Sequence, residues 1–273
     1  MDKLLSIVIP TFNRKTLTDR AVESVRSEFP ELVEIIVVDD CSDIPYSFSS
    51  HNSSKIEVKV FRLEKNVGPG MARQAGVKSA NGKFIAFLDS DDFYDKGWVD
   101  WIIKKIRELN GRDSLLIISG ITKGERKVGA LVRKMLSTMP QPLLLFAARV
   151  VAIMFNPFYT PSLVMDRELC FFKEGLRYCE DYYLTVYALF HARQLILPNV
   201  TAVYLGREPN TWGGETSQRS KMFWGEMQVR MSMWTELQLP LAYKLLIPFG
   251  IIYQWLRVGL KLLNSVVSGK WLK

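Results

Sequence analysis

Residues 4–14 read Leu4-Leu5-Ser6-Ile7-Val8-Ile9-Pro10-Thr11-Phe12-Asn13-Arg14, and this stretch decides the fold. Residues 4–9 form a short, apolar, β-branched run, the pattern of a strand buried in a parallel sheet. Pro10 to Arg14 closes the run with turn-forming and polar side chains. Beyond it the pattern switches to helical spacing: Thr16 or Thr18 is placed to cap a helix reaching about Phe29, with Ala21, Val22 and Val25 inward. Residues 34–38 are a second buried strand, ending in Asp39-Asp40. Beyond a serine-rich loop at 47–54, the pattern predicts a strand over 57–63, a helix over 72–80 and a buried strand over 84–88. A helix over 98–109, with Trp101, Ile102 and Ile106 inward, and a strand over 114–119 follow. Strands alternating with helices predict an α/β domain with a mostly parallel, Rossmann-like sheet flanked by helices.

The chain has 273 residues, of which 48% are hydrophobic and 23% charged, enough to bury a full core. Its formal charge of +8 fits either nucleic acid or anionic lipid and phosphorylated substrates. Nucleic acid is set aside, because the basic residues are scattered until the C-terminal region and no DNA- or RNA-binding signature is present. Cys41, Cys170 and Cys179 form no CxxC pair, and two histidines leave a zinc site almost without ligands. The thiols fit a reducing compartment. The N-terminal apolar run is too short for a signal peptide or a span, so the protein is expected on the cytoplasmic side.

The character changes near residue 120. Residues 120–133 are glycine-rich and basic and read as a mobile loop. Residues 139–165 are apolar, but Pro140, Pro142, Pro157 and Pro161 argue against a span. A helix over 180–190, short strands over 195–197 and 201–205, and a helical pattern from 220 onward complete the chain. The expected division is a domain over 1–218, with a donor half to about 120 and an acceptor half over 121–218, followed by a helical region over 219–273.

In open α/β sheets, ligands bind beyond the carboxyl ends of the strands. Three predicted strands end in suitable residues: Pro10-Thr11-Phe12-Asn13-Arg14, Asp39-Asp40 and Asp89-Ser90-Asp91-Asp92. One aspartate after a strand is ordinarily a turn residue or a helix cap. Two acidic clusters at corresponding ends repel each other and call for a cation between them. These residues resemble those of family 2 glycosyltransferases. Residues 4–14 resemble that family's opening strand, and residues 37–43, Val-Val-Asp-Asp-Cys-Ser-Asp, its base-binding turn. Residues 66–76 are similar to its Asn-x-Gly and Ala-Arg-Asn-x-Gly block, with Gln74 in place of Asn. Asp89-Ser90-Asp91-Asp92 resembles its DxD site and Glu180-Asp181-Tyr182 the acidic pair carrying its general base. The series covers about the first 190 residues.

The resemblance implies a GT-A fold and single-displacement transfer of a hexose from a UDP-sugar with inversion. It implies Asp181 as the catalytic base, Asp91 as the ligand of Mg²⁺ or Mn²⁺, and Asp89 on the ribose or beside the metal. Pro10, Thr11, Phe12, Asp39, Asp40, Arg73 and Ser90 are implied on the nucleotide side, with Asp40 accepting from the uracil N–H. Phe12 stacks on the base or is a core aromatic, and Arg73 meets the diphosphate or is a solvated helix-face arginine. Trp212, in the run 212–217, stacks on a sugar or is an ordinary buried tryptophan. Glu180 and Asp181 could otherwise be simple acids at a helix N-terminus. A sugar nucleotidyltransferase would need glycines after strand one, and none precedes Gly68. A silent binding protein on the same fold is the other alternative.

The tail completes the reading. Residues 239–273 carry Lys244, Arg257, Lys261, Lys270 and Lys273 and no acid. Gln254, Arg257, Lys261 and Asn264 share one helical face, with Ile251, Ile252, Trp255, Leu256, Val258, Leu262 and Leu263 on the remainder. The expectation is a membrane-associating helix lying in the interface on the inner face of the cytoplasmic membrane, its cations among anionic headgroups. Packing on the catalytic domain is the alternative. With this tail, the resemblance implies a growing glycan on a polyprenyl diphosphate as acceptor.

Overall fold

The computed structural model describes residues 2–48, 55–109, 114–123, 127–156, 158–198, 200–204 and 219–267. Strand β1 (Leu5–Thr11) is buried along its whole length. It lies parallel to both of its neighbours, β2 (Val33–Asp39) and β4 (Phe84–Phe87). Strand β3 (Glu57–Arg62) continues the parallel set at an exposed edge. On the other side β8 (Leu163–Asp166) runs antiparallel between β4 and β6 (Leu115–Ile118), and β9 (Gln194–Ile196) pairs in parallel with β6. The order β3-β2-β1-β4-β8-β6-β9 sets the carboxyl ends of β2, β1 and β4 side by side. A small second sheet joins β5 (Phe93–Tyr94), β10 (Thr201–Tyr204) and β7 (Gly120–Lys123).

The central strands read as continuous apolar runs because both faces are covered. Leu5, Ile7 and Ile9 meet Ala21 and Val22 of α1 (Lys15–Ser24) and Ile102 and Ile106 of α3 (Trp98–Glu108) on one side. Val8, Ile36 and Val38 meet Ala72 and Val77 of α2 (Pro69–Ser79) on the other, in a cluster shared with α5 (Gln141–Met154) and α6 (Glu180–His191). Ser6 breaks the apolar run for a reason. Its hydroxyl donates to Glu34 at 2.6 Å, and Glu34, fully buried, also accepts from Lys59 and from the Asn81 N–H. Burial pushes this carboxyl up, yet those bonds outweigh it and hold it down to about 2.

Several expectations need correction. Helix α1 begins at Lys15 with no side-chain cap and ends at Ser24. Thr18 faces inward, sharing a hydrogen bond with Thr11 and donating to the Arg14 carbonyl. Ser27 and the Glu28 N–H instead tie the chain to Asp100, which turns it toward β2. Trp101 is half-buried. Residues 120–133, expected as a loop, hold β7 and the start of α4 (Lys127–Ser137), since Gly120 bonds to Val200 and Leu136 joins the core.

At the C-terminal end, α7 (Arg219–Thr235), α8 (Leu241–Lys244) and α9 (Ile247–Val267) follow. Val229, Met233 and Ile247 belong to the same apolar cluster as α5 and α6. Among the described residues no helix is long and apolar enough to cross a membrane. Helix α9 sits with its polar stripe inward: Gln254 is buried and Arg257 donates to Glu226 of α7 at 2.7 Å. Its apolar side, with Ile252, Trp255, Leu256 and Leu260, is exposed. The expected orientation of the cationic stripe toward headgroups is therefore reversed at Arg257, because Glu226 supplies a nearer counter-charge. The side chains of Lys261, Leu262, Leu263 and Asn264 lie outside the described set.

Candidate active site

The turn after β1 is built against the turn after β2. Asn13 adopts a left-handed conformation (φ 54°), and its amide exchanges hydrogen bonds with Asp43, side chain to side chain and backbone to side chain. Its own N–H donates to Ser42 at 2.8 Å. Asp39 is fully buried and accepts from Ser42 N–H, Tyr46 N–H and Arg62. Burial pushes its carboxyl up, but these bonds prevail and hold it below the ordinary value. Asp39 thus organises the turn. Pro10 and Thr11 are likewise buried within β1, while Phe12 is 42% exposed at the surface of the turn. Phe12 is therefore not a core aromatic.

Asp40 donates its N–H to Thr11 and accepts from the Val67 and Gly68 N–H groups, each at 2.8 Å. Gly68 has φ 89°, a conformation only glycine adopts freely, and it delivers the chain into α2. Burial raises the Asp40 carboxyl above its ordinary value, against the two N–H bonds and the nearby Arg177. Two N–H bonds leave lone pairs on a carboxylate, so Asp40 can still accept from a base.

One turn into α2, Arg73 is 5% exposed and holds two acids at once. It donates to Asp89 at 2.5 Å and to Glu180 at 2.9 Å. It is buried rather than solvated, which corrects that alternative. Burial would lower its basicity, but Asp89, Glu180 and Asp181 together raise it further above the ordinary arginine value. Gly70 makes this approach of helices α2 and α6 feasible: a β-carbon there would lie 2.4 Å from Glu180 Cγ and 2.9 Å from its Cβ.

Asp181 opens α6 after Cys179 in the left-handed region (φ 60°) and accepts from the Tyr182 N–H at 2.8 Å. Burial raises its carboxyl above the ordinary value, Arg73 and the Tyr182 N–H oppose this, and Asp89 adds to it. A carboxylate made more basic in this way suits proton abstraction. Asp91 lies 3.4 Å from the Arg14 guanidinium, and Ser90, between the two aspartates in sequence, is buried. Cys170 and Cys179 are free and buried, with thiols pushed well up by burial.

Among the described residues no three His, Cys, Asp or Glu side chains gather into a ready metal cluster. Asp89 and Asp91 nevertheless offer oxygen donors alone, and each has drawn an arginine cation to itself. That donor set fits a hard dication taking its remaining ligands from a diphosphate and water. The structure thus brings Asp89, Arg73 and Asp181 together, with Asp40 linked to them through the first turn of α2. Sequence reasoning missed Glu180 as Arg73's second anchor, Arg14 as the counter-charge of Asp91, and Arg177, which donates to Asn66 beside Asp40. Glu180 had a signal, since an acid adjoining Asp181 is placed to meet an arginine. Trp212 and the run 212–217 lie outside the described residues.

The sheet order, with acids lining the carboxyl ends of its central strands, defines an α/β domain with a candidate ligand site beyond those ends. The model for the family described as glycosyl transferase family 2 matches residues 6–146, just over half of the chain, and the chain belongs to that family. It is 30% identical over 203 residues to the poly(ribitol-phosphate) beta-N-acetylglucosaminyltransferase TarS of Staphylococcus aureus, covering 73% of this chain and 35% of that protein. The chain thus spans about a third of that relative's length. The crystal structure of S. aureus TarS 1–349 in complex with UDP-GlcNAc superposes with a TM-score of 0.67 at 21% identity, covering 92% of this chain and 72% of that one. The mannosyltransferase PcManGT of Pyrobaculum calidifontis, in complex with GDP-Man and Mn²⁺, gives 0.61 at 13% identity, covering 98% and 76%. The GalNAc(5)-diNAcBac-PP-undecaprenol beta-1,3-glucosyltransferase of Campylobacter jejuni is 33% identical over 107 residues, covering 38% of this chain and 35% of that protein. The two structural likenesses establish a GT-A-like fold.

Proposed function

We propose that this chain is an inverting glycosyltransferase that moves a hexose from a UDP-sugar to a hydroxyl of a glycan acceptor. The acceptor is a growing glycan on a polyprenyl diphosphate, as in bacterial surface-polysaccharide or O-antigen assembly, met at the inner face of the cytoplasmic membrane. One observation carries the reading: Arg73 fastens Asp89, at the end of β4, to the helix turn that presents Asp181. Donor side and base are thereby held in one rigid unit.

In the proposed reaction the acceptor oxygen attacks C1 as the C1–O bond to the diphosphate breaks, and UDP leaves with the bonding pair. Asp181 takes the acceptor proton; a sugar hydroxyl is too weak a nucleophile without such a base. Asp40 and Phe12 orient the uracil, one by accepting from its N–H and the other by stacking. Asp91 and Asp89 would hold Mg²⁺ or Mn²⁺, which when bound neutralises charge on the departing diphosphate. The TarS complex with UDP-GlcNAc supports a uridine donor, and the Campylobacter enzyme's PP-undecaprenol substrate supports a lipid-linked acceptor.

The test is nucleotide release by the purified chain across a panel of nucleotide sugars, with and without glycan acceptors. Preferential UDP release that Asp181→Asn suppresses is the expected result. Equal release from Asp181→Asn and wild type would refute the reading.

A further inference from the structure

The charge of this chain is not spread over its surface. Residues 126–165 and 239–273 contain ten basic residues and no acid; elsewhere 26 basic residues face 28 acidic ones. The net charge of +8 is thus carried entirely by these two segments. They build α4, α5, α8 and α9, which pack against one another in the fold.

The exposed apolar surface follows the same segments. Of twenty large hydrophobic side chains exposed among the described residues, twelve lie in these segments, within 131–146 and 241–260. Ring contacts join the helices at this surface: Phe146 of α5 lies 5.9 Å from Tyr243 of α8, and Phe223 of α7 lies 4.9 Å from Trp255 of α9. Phe249, Trp255 and Leu256 are each more than half exposed. Helix α9 turns Gln254 and Arg257 inward, so its apolar side is left for something outside the fold.

We propose that this face, formed by α4, α5, α8 and α9, seats the protein on an anionic phospholipid bilayer. The proposal rests on the transferase reading above only in explaining why a bilayer would be met. Apolar side chains with tryptophan among them, on acid-free segments, match the acyl boundary beneath anionic headgroups. Exposed Lys134 and half-buried Lys244 supply the cations. A second copy fits less well, because two faces carrying only positive charge repel. The polar stripe of α9, read from sequence as the headgroup contact, instead clamps the helix to α7.

The experiment is sedimentation of the full chain with vesicles of phosphatidylcholine alone or with a third phosphatidylglycerol, at low salt. Two variants accompany wild type: Phe249→Glu with Leu256→Glu, and Lys134→Glu with Lys244→Glu. All four side chains lie at least partly at the surface, and thermal unfolding checks that each variant is folded. Wild type is expected to sediment with the anionic vesicles. The apolar pair should weaken this at least about tenfold, given what burial of an apolar side chain contributes. The lysine pair should weaken it on anionic vesicles alone. UDP release with a soluble acceptor should stay unchanged in both. No sedimentation of wild type with anionic vesicles, or unchanged binding by the apolar pair, overturns the proposal. So does a dimer in vesicle-free solution that the apolar pair dissociates, which would assign the face to a second copy. Sedimentation without any nucleotide release would keep the surface and refute the transferase.

Discussion

Replacing Arg73 with methionine tests what holds the site together. In the folded protein this guanidinium is buried and donates to Asp89 and Glu180, with Asp181 close enough to feel its charge. Removing it leaves three carboxylates near one another without a cation. Breaking one buried pair costs about 3–5 kcal/mol, and for a chain of this size that lowers the unfolding midpoint by roughly 6–20 °C. Catalysis should respond in a second, independent way. Arg73 holds the Asp181 carboxyl down against its burial, so in Arg73→Met that carboxyl titrates higher. Turnover then needs a higher pH before the base is ionised, and the acid limb of the kcat profile moves up. Arg73→Lys keeps the charge but cannot fork between two acids, so it should restore the limb while recovering only part of the stability. The assays are thermal unfolding and kcat against pH for both variants. A variant that unfolds like wild type and loses only donor affinity would refute the reasoning and return Arg73 to the diphosphate.

Asp181→Asn should lower turnover about 10²–10⁴-fold with donor affinity nearly kept, measured by steady-state kinetics. It should also raise stability at neutral pH: the folded carboxyl is raised, so ionising it disfavours the fold once pH exceeds its folded value. Asp91→Ala should abolish turnover, and Mn²⁺ titrated calorimetrically in the presence of UDP should lose its binding heat; full wild-type activity in EDTA would exclude the metal role. Glu34→Gln should cost about 3 kcal/mol at neutral pH, from a carboxyl lowered from 4.5 to about 2. Because the folded value is depressed, this difference is complete above about pH 4.5 and vanishes as pH falls toward 2, which denaturant melts across that window would follow.

The parallel sheet was legible because its strands are buried on both faces and therefore read as unbroken apolar runs. Ser6 and Glu34 show where such reading stops: a serine in a strand gives no sign that a buried carboxylate on the neighbouring strand needs its hydroxyl. Asp40, Asp89, Asp91 and Asp181 were legible as acids at strand ends and a helix start, and the fold brings Asp89 and Asp181 to one arginine. Asp39 and Arg73 were placed in the right neighbourhood, but the protein groups they hold were not foreseen. Asp39 is consumed by its own turn, and Arg73 by two acids 16 and 107 residues further along the chain. Residues 120–133 misled for a different reason: their glycines and cations imitate a loop, while a strand pairing with 201–204 and packing of α4 on α5 order them.

Helix α9 is amphipathic, and its two sides are plain in the sequence. Spacing of three and four residues places Gln254 and Arg257 on one side and Trp255, Leu256 and Leu260 on another, and any helical wheel gives that division. It does not give the sign. In water the apolar side ordinarily turns inward, because burying it is worth about 25 cal/mol per Å². Here the inward side is decided by Glu226, a residue on another helix whose carboxylate pairs with Arg257 at 2.7 Å. Turning α9 over would bury apolar surface on α7 but take Arg257 from Glu226, leaving that part-buried carboxylate only Arg230 at 3.5 Å, and a charged group short of a partner costs about 1–3 kcal/mol or more. An orientation that leaves tryptophan and leucine in water is unfavourable only while water is what they meet. Against an acyl boundary the same surface gains what it lacked, with the inner pair undisturbed. Glu226→Gln separates these cases. If the charge pair sets the sign of the helix, this variant should lower stability and make the α9 backbone amides exchange faster with deuterium. Full wild-type protection in Glu226→Gln would mean that packing, rather than the ion pair, orients α9.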